Sequence, residues 1–431
     1  MRHDFDALGG AERLTDIADD LAVEDGDTRR LRSGRSPWSI GQFPLPHRPL
    51  AEDCRVDVVV VGAGITGSLA AEALTAAGAS VMVIDRALPG RGSTAASTAM
   101  LQWELDSSLT ELSDLYGFER AARIYRRSHA AAADLARLAA GLRIDCGFTA
   151  RATLYLTGGE TGPGTLTAEH EARERAGLPG ALLDAETLAD RFALHRPAAL
   201  VSPGSAEADP VRLSLGVLRT ALARGAILVE DEVVAYDAGP RAVHLALASG
   251  RQVEAGHVVL ATGYAMPPFV TSDLHQVVSS WCLATEPQDP ADLWPGRCLI
   301  WEASEPYLYA RTTADGRIVA GGEDEETDDA ADRERKMAEK TERIRAKLKA
   351  LWPHGHDRLS HAWSAEFGET TDGLPLIGAV PGAPRILAAY GYGGNGITYS
   401  YMASRMLAAE IAGERRDWFD DFALDRPAPA A

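Results

Sequence analysis

A chain of 431 residues with 46% hydrophobic and 24% charged residues has the balance of a soluble globular protein, long enough for two domains. Its formal net charge of −19 argues against nucleic acid or an anionic membrane as a partner. The apolar run Val58–Ala71 is too short to span a bilayer, and MRHDFDALGG at the N-terminus lacks the apolar core of a signal peptide. The four cysteines, Cys54, Cys146, Cys282 and Cys298, form no C-x-x-C, so the expectation is a reducing cytoplasm, with no disulfide framework and no metal site.

Residues 1–50 precede the first regular element. About residues 1–25 read as a disordered tail. Arg30–Pro49, rich in Pro, Arg and Ser, reads as an extended arm that docks through Trp38 and Phe43. Then comes DVVVVGAGITG at 57–67. Asp57–Val61 is a β-branched run, as expected of a parallel strand buried on both faces. Gly62, Gly64 and Gly67 complete a G-x-G-x-x-G frame: the first for the tight turn, the second for close approach to a pyrophosphate, the third for strand–helix packing. Residues 65–77 read as a helix, which places Ile65 and Thr66 at an N-terminus suited to phosphate. A second apolar run, Val81–Ile84, ends at Asp85, 18 residues past Gly67. A carboxylate there can accept hydrogen bonds from both ribose hydroxyls and repels a 2′-phosphate.

Further along, 109–141, Thr165–Ala176, Asp184–Phe192 and Val211–Arg224 read as helices, and Ala152–Thr157 and Ile227–Val234 as strands. Val243–Leu247 and Val253–Ala261 form a hairpin across Ser249-Gly250. Trp281–Thr285, Pro306–Thr312 and Arg317–Gly321 read as strands of a second sheet, the last two joined at Ala314-Asp315-Gly316. Residues 329–351 form a charged helix with Lys336, Lys340 and Glu342 on its solvated face. Two later segments return to the nucleotide theme. HVVLATGY at 257–264 is a short strand ending beside a nucleotide. WSAEFGETTDGLPLIG at 363–378 and AAYGYGGNGIT at 388–398 lead into a helix, Tyr399–Ile411, whose positive end suits an electron-rich ring carbonyl.

Together with GRGSTAASTA at 90–99, Ala208-Asp209-Pro210 and PYLYARTTADGRIVAGGEDEE at 306–326, these motifs resemble the FAD-dependent D-amino-acid oxidase superfamily, the group with glycine oxidase, sarcosine oxidase and γ-glutamylputrescine oxidase. The match runs from about Pro49 to Gly413. The resemblance implies that Gly62, Gly64 and Gly67 bind the pyrophosphate and Asp85 the ribose. Arg86, Gly92, Ser93 and Thr94 would line the path to the flavin, Val233 would meet the adenine, and Thr262 and Gly263 would flank the nucleotide. Gly394, Asn395, Gly396 and Ile397 would meet the flavin ring, with Asp372 of a T-x-D motif tying strand to loop near the ribityl chain.

The departures are informative. Covalent members carry a Cys near the T-x-D strand or a His in the 92–99 region; neither is present, which implies non-covalent FAD. Glycine oxidase-like members place one Arg before T-x-D and another in the glycine loop, against the substrate carboxylate. Phe367 and Gly394 stand there instead. Tyr307, Tyr309 and Arg311 alternate on a strand and share a face, so Arg311 is the candidate replacement clamp. His275 is a candidate base or oxygen-activating group, and Glu366 and Glu369 are candidates for a cationic amine.

The expectation is therefore an α/β protein. A doubly wound FAD domain (51–150, 200–270, 355–431) carries a discontinuous substrate domain (151–199, 271–354) on a mixed, largely antiparallel sheet, after an N-terminal arm (1–50). The expected activity is oxidation of the C–N bond of an amine or amino acid by hydride transfer to flavin N5. The imine then hydrolyses, and O2 or another acceptor takes the electrons. The alternatives are oxidation of a 2-hydroxy acid or polyol phosphate, which needs a stronger anion clamp, or a flavin-binding subunit of a larger complex.

Overall fold

A computed structural model describes residues 32–38, 45, 47–159, 161–304 and 306–428. The expectations for residues 1–25 and for Phe43 lie outside the described residues. The chain forms two mixed sheets, in agreement with the α/β expectation.

The eight-stranded sheet is built on the β-branched run. Cys54–Val61 pairs in parallel with Val81–Asp85 on one side and Gln252–Leu260 on the other. Ile227–Glu230 extends the first side and Ala383–Tyr390 the second, both parallel. Val58, Val59 and Val60 are fully buried because the sheet is covered on both faces. On one face the helix Ile65–Ala76 packs against the helices Pro210–Ala223 and Gly396–Ile411. The strand order reverses between Cys54–Val61 and Gln252–Leu260. That crevice, at the carboxyl ends of the strands, is where such a sheet binds its ligand.

The ten-stranded sheet runs Arg32–Gly34, Leu359–Thr370, His275–Thr285, Ile318–Glu325, Leu308–Thr312, Leu299–Ala303, Thr149–Thr157, Ala198–Glu207, Met100–Leu101, with Ala181–Asp184 also on Ala198–Glu207. It is antiparallel except where Leu299–Ala303 meets Thr149–Thr157. Trp281 and Trp294 fill the core beneath it, with Ile344 and Leu348 of the helix Ala330–Leu351. Sheet membership divides the chain differently from the sequence expectation at three places. Met100–Leu101, Ala198–Glu207 and Leu359–Thr370 find their ladder partners in this larger sheet.

The stretch 109–141 forms two helices, Leu109–Tyr116 and Phe118–Gly141, separated at Gly117 with φ 80°. Two local expectations change. Ile227–Val234 splits into Ile227–Glu230 and a second strand, Val233–Ala238, that turns to pair with Val243–Leu247. Lys340 is buried rather than solvated. Its ammonium donates to the Glu323 carbonyl at 2.8 Å, pairs with Glu325 at 2.6 Å and lies 5.0 Å from the Trp281 ring centroid. Among the described residues no helix is long and apolar enough to cross a membrane.

The C-terminal segment is fastened by one buried ion pair. Arg426 donates from Nε and Nη2 to the two oxygens of Asp372, both at 2.8 Å, and the Tyr116 hydroxyl donates to Asp372 Oδ2 at 2.7 Å. Burial alone would raise the Asp372 carboxyl; the Arg426 guanidinium more than reverses this and holds it below its ordinary value. Arg426→Met is expected to cost about 3–5 kcal/mol in denaturant unfolding, because it strands a buried carboxylate. The pair's contribution is present above the unfolded carboxylate range, about pH 3.9, and falls away below it.

Candidate functional site

The dinucleotide turn has the geometry its glycines predict. Gly62 sits at φ 104°, and a Cβ there would collide with the Ala261 carbonyl of the neighbouring strand. A Cβ on Gly67 would collide with the Gly62 carbonyl, so helix and strand approach at backbone distance. At Gly64 a Cβ would meet only the Thr94 hydroxyl, at 3.1 Å. Asp85 closes the turn from the end of its strand: Ala63 N–H donates to Oδ2 at 2.6 Å and Ala87 N–H to Oδ1 at 2.9 Å. Burial pushes this carboxyl up while the two amides pull it down. Two bonds leave lone pairs on a carboxylate that can accept about four.

The other expected cofactor residues gather around this turn. Thr94 Oγ1 accepts from Ile65 N–H at 3.0 Å, and Thr66 Oγ1 lies 2.7 Å from Ser400 Oγ on the C-terminal helix. Gly92 precedes the one-turn helix Ser93–Ala96. Gly263 faces Ser93, and Thr262 opens the loop after Gln252–Leu260. Arg86 turns to Glu232 at 3.5 Å, on the loop that leads to Val233. Gly394, Asn395, Gly396 and Ile397 form the turn into the C-terminal helix. Asp372 ties strand to loop through bonds from Arg426, Tyr116 and the Leu374 N–H, which leave its carboxylate little capacity for a cofactor.

The glycine loop is zipped to residues 102–106. Asn395 Nδ2 donates to the Glu104 carbonyl at 2.5 Å, Thr398 Oγ1 to the Gln102 carbonyl at 2.7 Å, and Gly394 N–H to Asp106 Oδ2 at 2.7 Å. A Cβ on Gly393 would collide with Asp106 Oδ2, and one on Gly394 would lie 2.8 Å from Oδ1. Asp106 therefore fills the space beside Gly393 and Gly394. Asp106 stays solvent-accessible beside the loop, with protein atoms gathered around its carboxyl. Loss of bulk water pushes its carboxyl up to about 6, against the Gly394 N–H and with help from Glu369 and Asp324. The sequence reading missed Asp106 because LQWELDSS carries no motif; the paired glycines at 393–394, which need a filler, were the available signal.

Of the substrate-side candidates, Tyr307 lies close enough to Asp106 to feel its charge, and Tyr309 lies beside Tyr307. The Tyr307 and Tyr309 rings lie 5.9 Å apart, the Tyr307 hydroxyl donates to Asp324, and Tyr309 Oη is 3.3 Å from Cys282 Sγ. Tyr307 also feels the Asp106 charge, which adds to the burial that raises its hydroxyl. His275 pairs across from Thr370, lies against Gly368 and Gly391, and stacks edge-on with Tyr390 at 4.9 Å. Burial lowers its pKa, favouring the neutral imidazole. Arg311 departs from expectation. It is buried, and its guanidinium donates to the carbonyls of Thr98, Thr312 and Ala208, with Glu207 at 3.7 Å. The reason is topological: the strand Leu308–Thr312 runs under the Thr98 carbonyl, which needs a donor, and no free fork remains for a substrate carboxylate. Glu366 is likewise neutralised, by Arg333 at 2.7 Å, whereas Glu369 accepts from Gln276.

A glycine cradle that a Cβ would fill, a helix N-terminus and an acid at the second strand define a dinucleotide-binding oxidoreductase fold, and these residues fit FAD. Residues 57–410 match the family described as FAD dependent oxidoreductase, and the chain belongs to that family. It is 25% identical over 390 residues to the gamma-glutamylputrescine oxidoreductase of Escherichia coli, covering 88% of each chain. It is 27% identical over 392 residues to the glycine oxidase of Bacillus licheniformis, covering 86% of this chain and 98% of that one. Its fold is similar to the crystal structure of glycine oxidase from Geobacillus kaustophilus, with a TM-score of 0.74 at 20% identity, over 87% of this chain and 99% of that one.

Two substitutions test the cradle. Asp85→Ala removes the acceptor of two loop amides and is expected to weaken FAD binding by roughly 1.5–3 kcal/mol, about ten- to a hundredfold in Kd. Gly67→Ala forces backbone apart and should leave little bound FAD. Flavin fluorescence on titration of the apoprotein measures both.

Proposed function

We propose that the protein oxidises the C–N bond of a cationic amine without a neighbouring carboxylate, using non-covalently bound FAD. FAD, when bound, supplies the hydride acceptor at N5, and the imine product hydrolyses in water. The observation that carries the reading is the negative charge at the glycine loop: Gly394 stands where the resemblance to glycine oxidase-like members implies an arginine, and the carboxylate of Asp106 occupies the space beside it. Commitment of Arg311 to protein carbonyls removes the alternative anion clamp.

An alkylamine is protonated at neutral pH, and a carboxylate that is itself partly out of water attracts that cation strongly. One oxygen of Asp106 is held by Gly394 N–H, which fixes its direction; the other can accept from the ammonium. Asp324 and Glu369 add negative potential. Deprotonation is needed before the carbon can release hydride, and a carboxyl raised to about 6 is a better proton acceptor than an ordinary one. The Tyr307–Tyr309 pair supplies an aromatic wall for the carbon chain, and neutral His275 adds a hydrogen-bonding edge.

Non-covalent attachment has a chemical basis in the 92–99 segment without His and the 363–372 strand without Cys. The thiols of Cys146 and Cys298 are pushed up to about 11 by burial, and that of Cys282 to about 12, far from the thiolate needed for linkage.

Three outcomes follow. Acid precipitation should leave the yellow chromophore in the supernatant; colour retained by the pellet contradicts non-covalent binding. Anaerobic mixing should bleach the flavin with diamines and monoamines faster than with the matching α-amino acids or 2-hydroxy acids. Asp106→Asn keeps an oxygen for Gly394 N–H but removes the charge, and should cost about 2–5 kcal/mol in kcat/KM for a diamine. The wild-type profile should rise through about pH 6 as Asp106 ionises, and that limb should vanish in the variant.

A further inference from the structure

The arm Arg32–Trp38 lies outside the segment that matches the family. It is nevertheless built into the structure. Its backbone pairs antiparallel with Leu359–Thr370, in the register Arg32↔Ala365, Ser33↔Ser364 and Gly34↔Trp363. Gly34 adopts φ 76° against the Ala362 carbonyl, where a Cβ would collide. Arg35 N–H then donates to that carbonyl at 2.9 Å.

The side chains of the arm serve a second segment. The helix Ser93–Ala96 is a single turn, so its last carbonyls have no helix beyond to pair with. Ser36 Oγ donates to the Ala95 carbonyl at 2.6 Å and Trp38 Nε1 to the Ser97 carbonyl at 2.8 Å. Trp363, itself in the strand the arm pairs with, donates to the Ala96 carbonyl at 2.8 Å. Arg32 Nε reaches the Arg91 carbonyl at 2.9 Å, and the Trp38 ring covers Arg311, which holds the Thr98 carbonyl. Ser36 and Trp38 are both buried. From this turn Thr94 accepts the Ile65 N–H at the mouth of the dinucleotide loop.

We propose that Arg32–Trp38 is a clasp for the cofactor: by satisfying the free carbonyls of the 93–96 turn it holds Thr94 under the phosphate loop, and arm docking and FAD binding stabilise each other. Ser36 and Trp38 are positioning residues, acting through Thr94 and Ile65. Such coupling is reciprocal, so whatever affinity the arm adds for FAD, FAD adds in equal measure to arm docking.

The two directions give two measurements on the full chain. Ser36→Ala combined with Trp38→Phe removes both side-chain donors and keeps an aromatic ring over Arg311. FAD Kd should rise at least tenfold, while the melting temperature of the apoprotein moves much less than that of the FAD-bound form. A Kd within twofold of wild type overturns the clasp, as does an equal fall in both melting temperatures, the mark of a general stabiliser. In the wild type, trypsin should cut after Arg35 at least tenfold more slowly with saturating FAD than without it. Cleavage indifferent to FAD overturns the proposal even if the double variant does not fold.

Discussion

Buried backbone groups must be paired, and around the cofactor site this obligation organises the molecule. Strands end there, a helix lasts one turn, and glycine-rich turns expose amides and carbonyls that no regular element satisfies. Side chains from distant parts of the chain do so instead. Asp85 takes the amides of Ala63 and Ala87, Thr94 that of Ile65, and Asp106 that of Gly394. Asn395 and Thr398 serve the carbonyls of 104 and 102, while Ser36, Trp363, Trp38 and Arg311 serve four successive carbonyls from 95 to 98.

The same pairing rule explains the charge left beside the glycine loop. Arg311 satisfies the peptide and cannot also satisfy a ligand, and Arg333 neutralises Glu366. Positive charge is thereby spent within the protein. What faces the glycine loop is carboxylate, with Asp106 bonded only through one oxygen.

Much of the fold was legible because its signals are local. The β-branched run, the glycine frame, Asp85 and the hairpin at Ala314-Asp315-Gly316 each sit within a few residues, and steric demands on φ or on strand–helix distance tie them to one geometry. What was not legible depends on partners far away in sequence. Arg311 looked free because the Thr98 and Ala208 carbonyls that consume it belong to other segments. Lys340 looked solvated because Glu323 and Trp281 are not its helical neighbours. Asp106 had no motif, and Arg426, the partner that holds Asp372, lies in a distant segment.

The parallel sheet also constrains the order in which the chain can fold. Cys54–Val61 is made early, but its neighbour Gln252–Leu260 comes some two hundred residues later and Ala383–Tyr390 later still. During synthesis the first strand and its glycine turn must therefore wait, apolar and half-paired, until most of the polypeptide has left the ribosome. Pairings of such long range are slow to form and leave strand edges open meanwhile. The nucleotide pocket, encoded first, is among the last parts of the molecule to be completed.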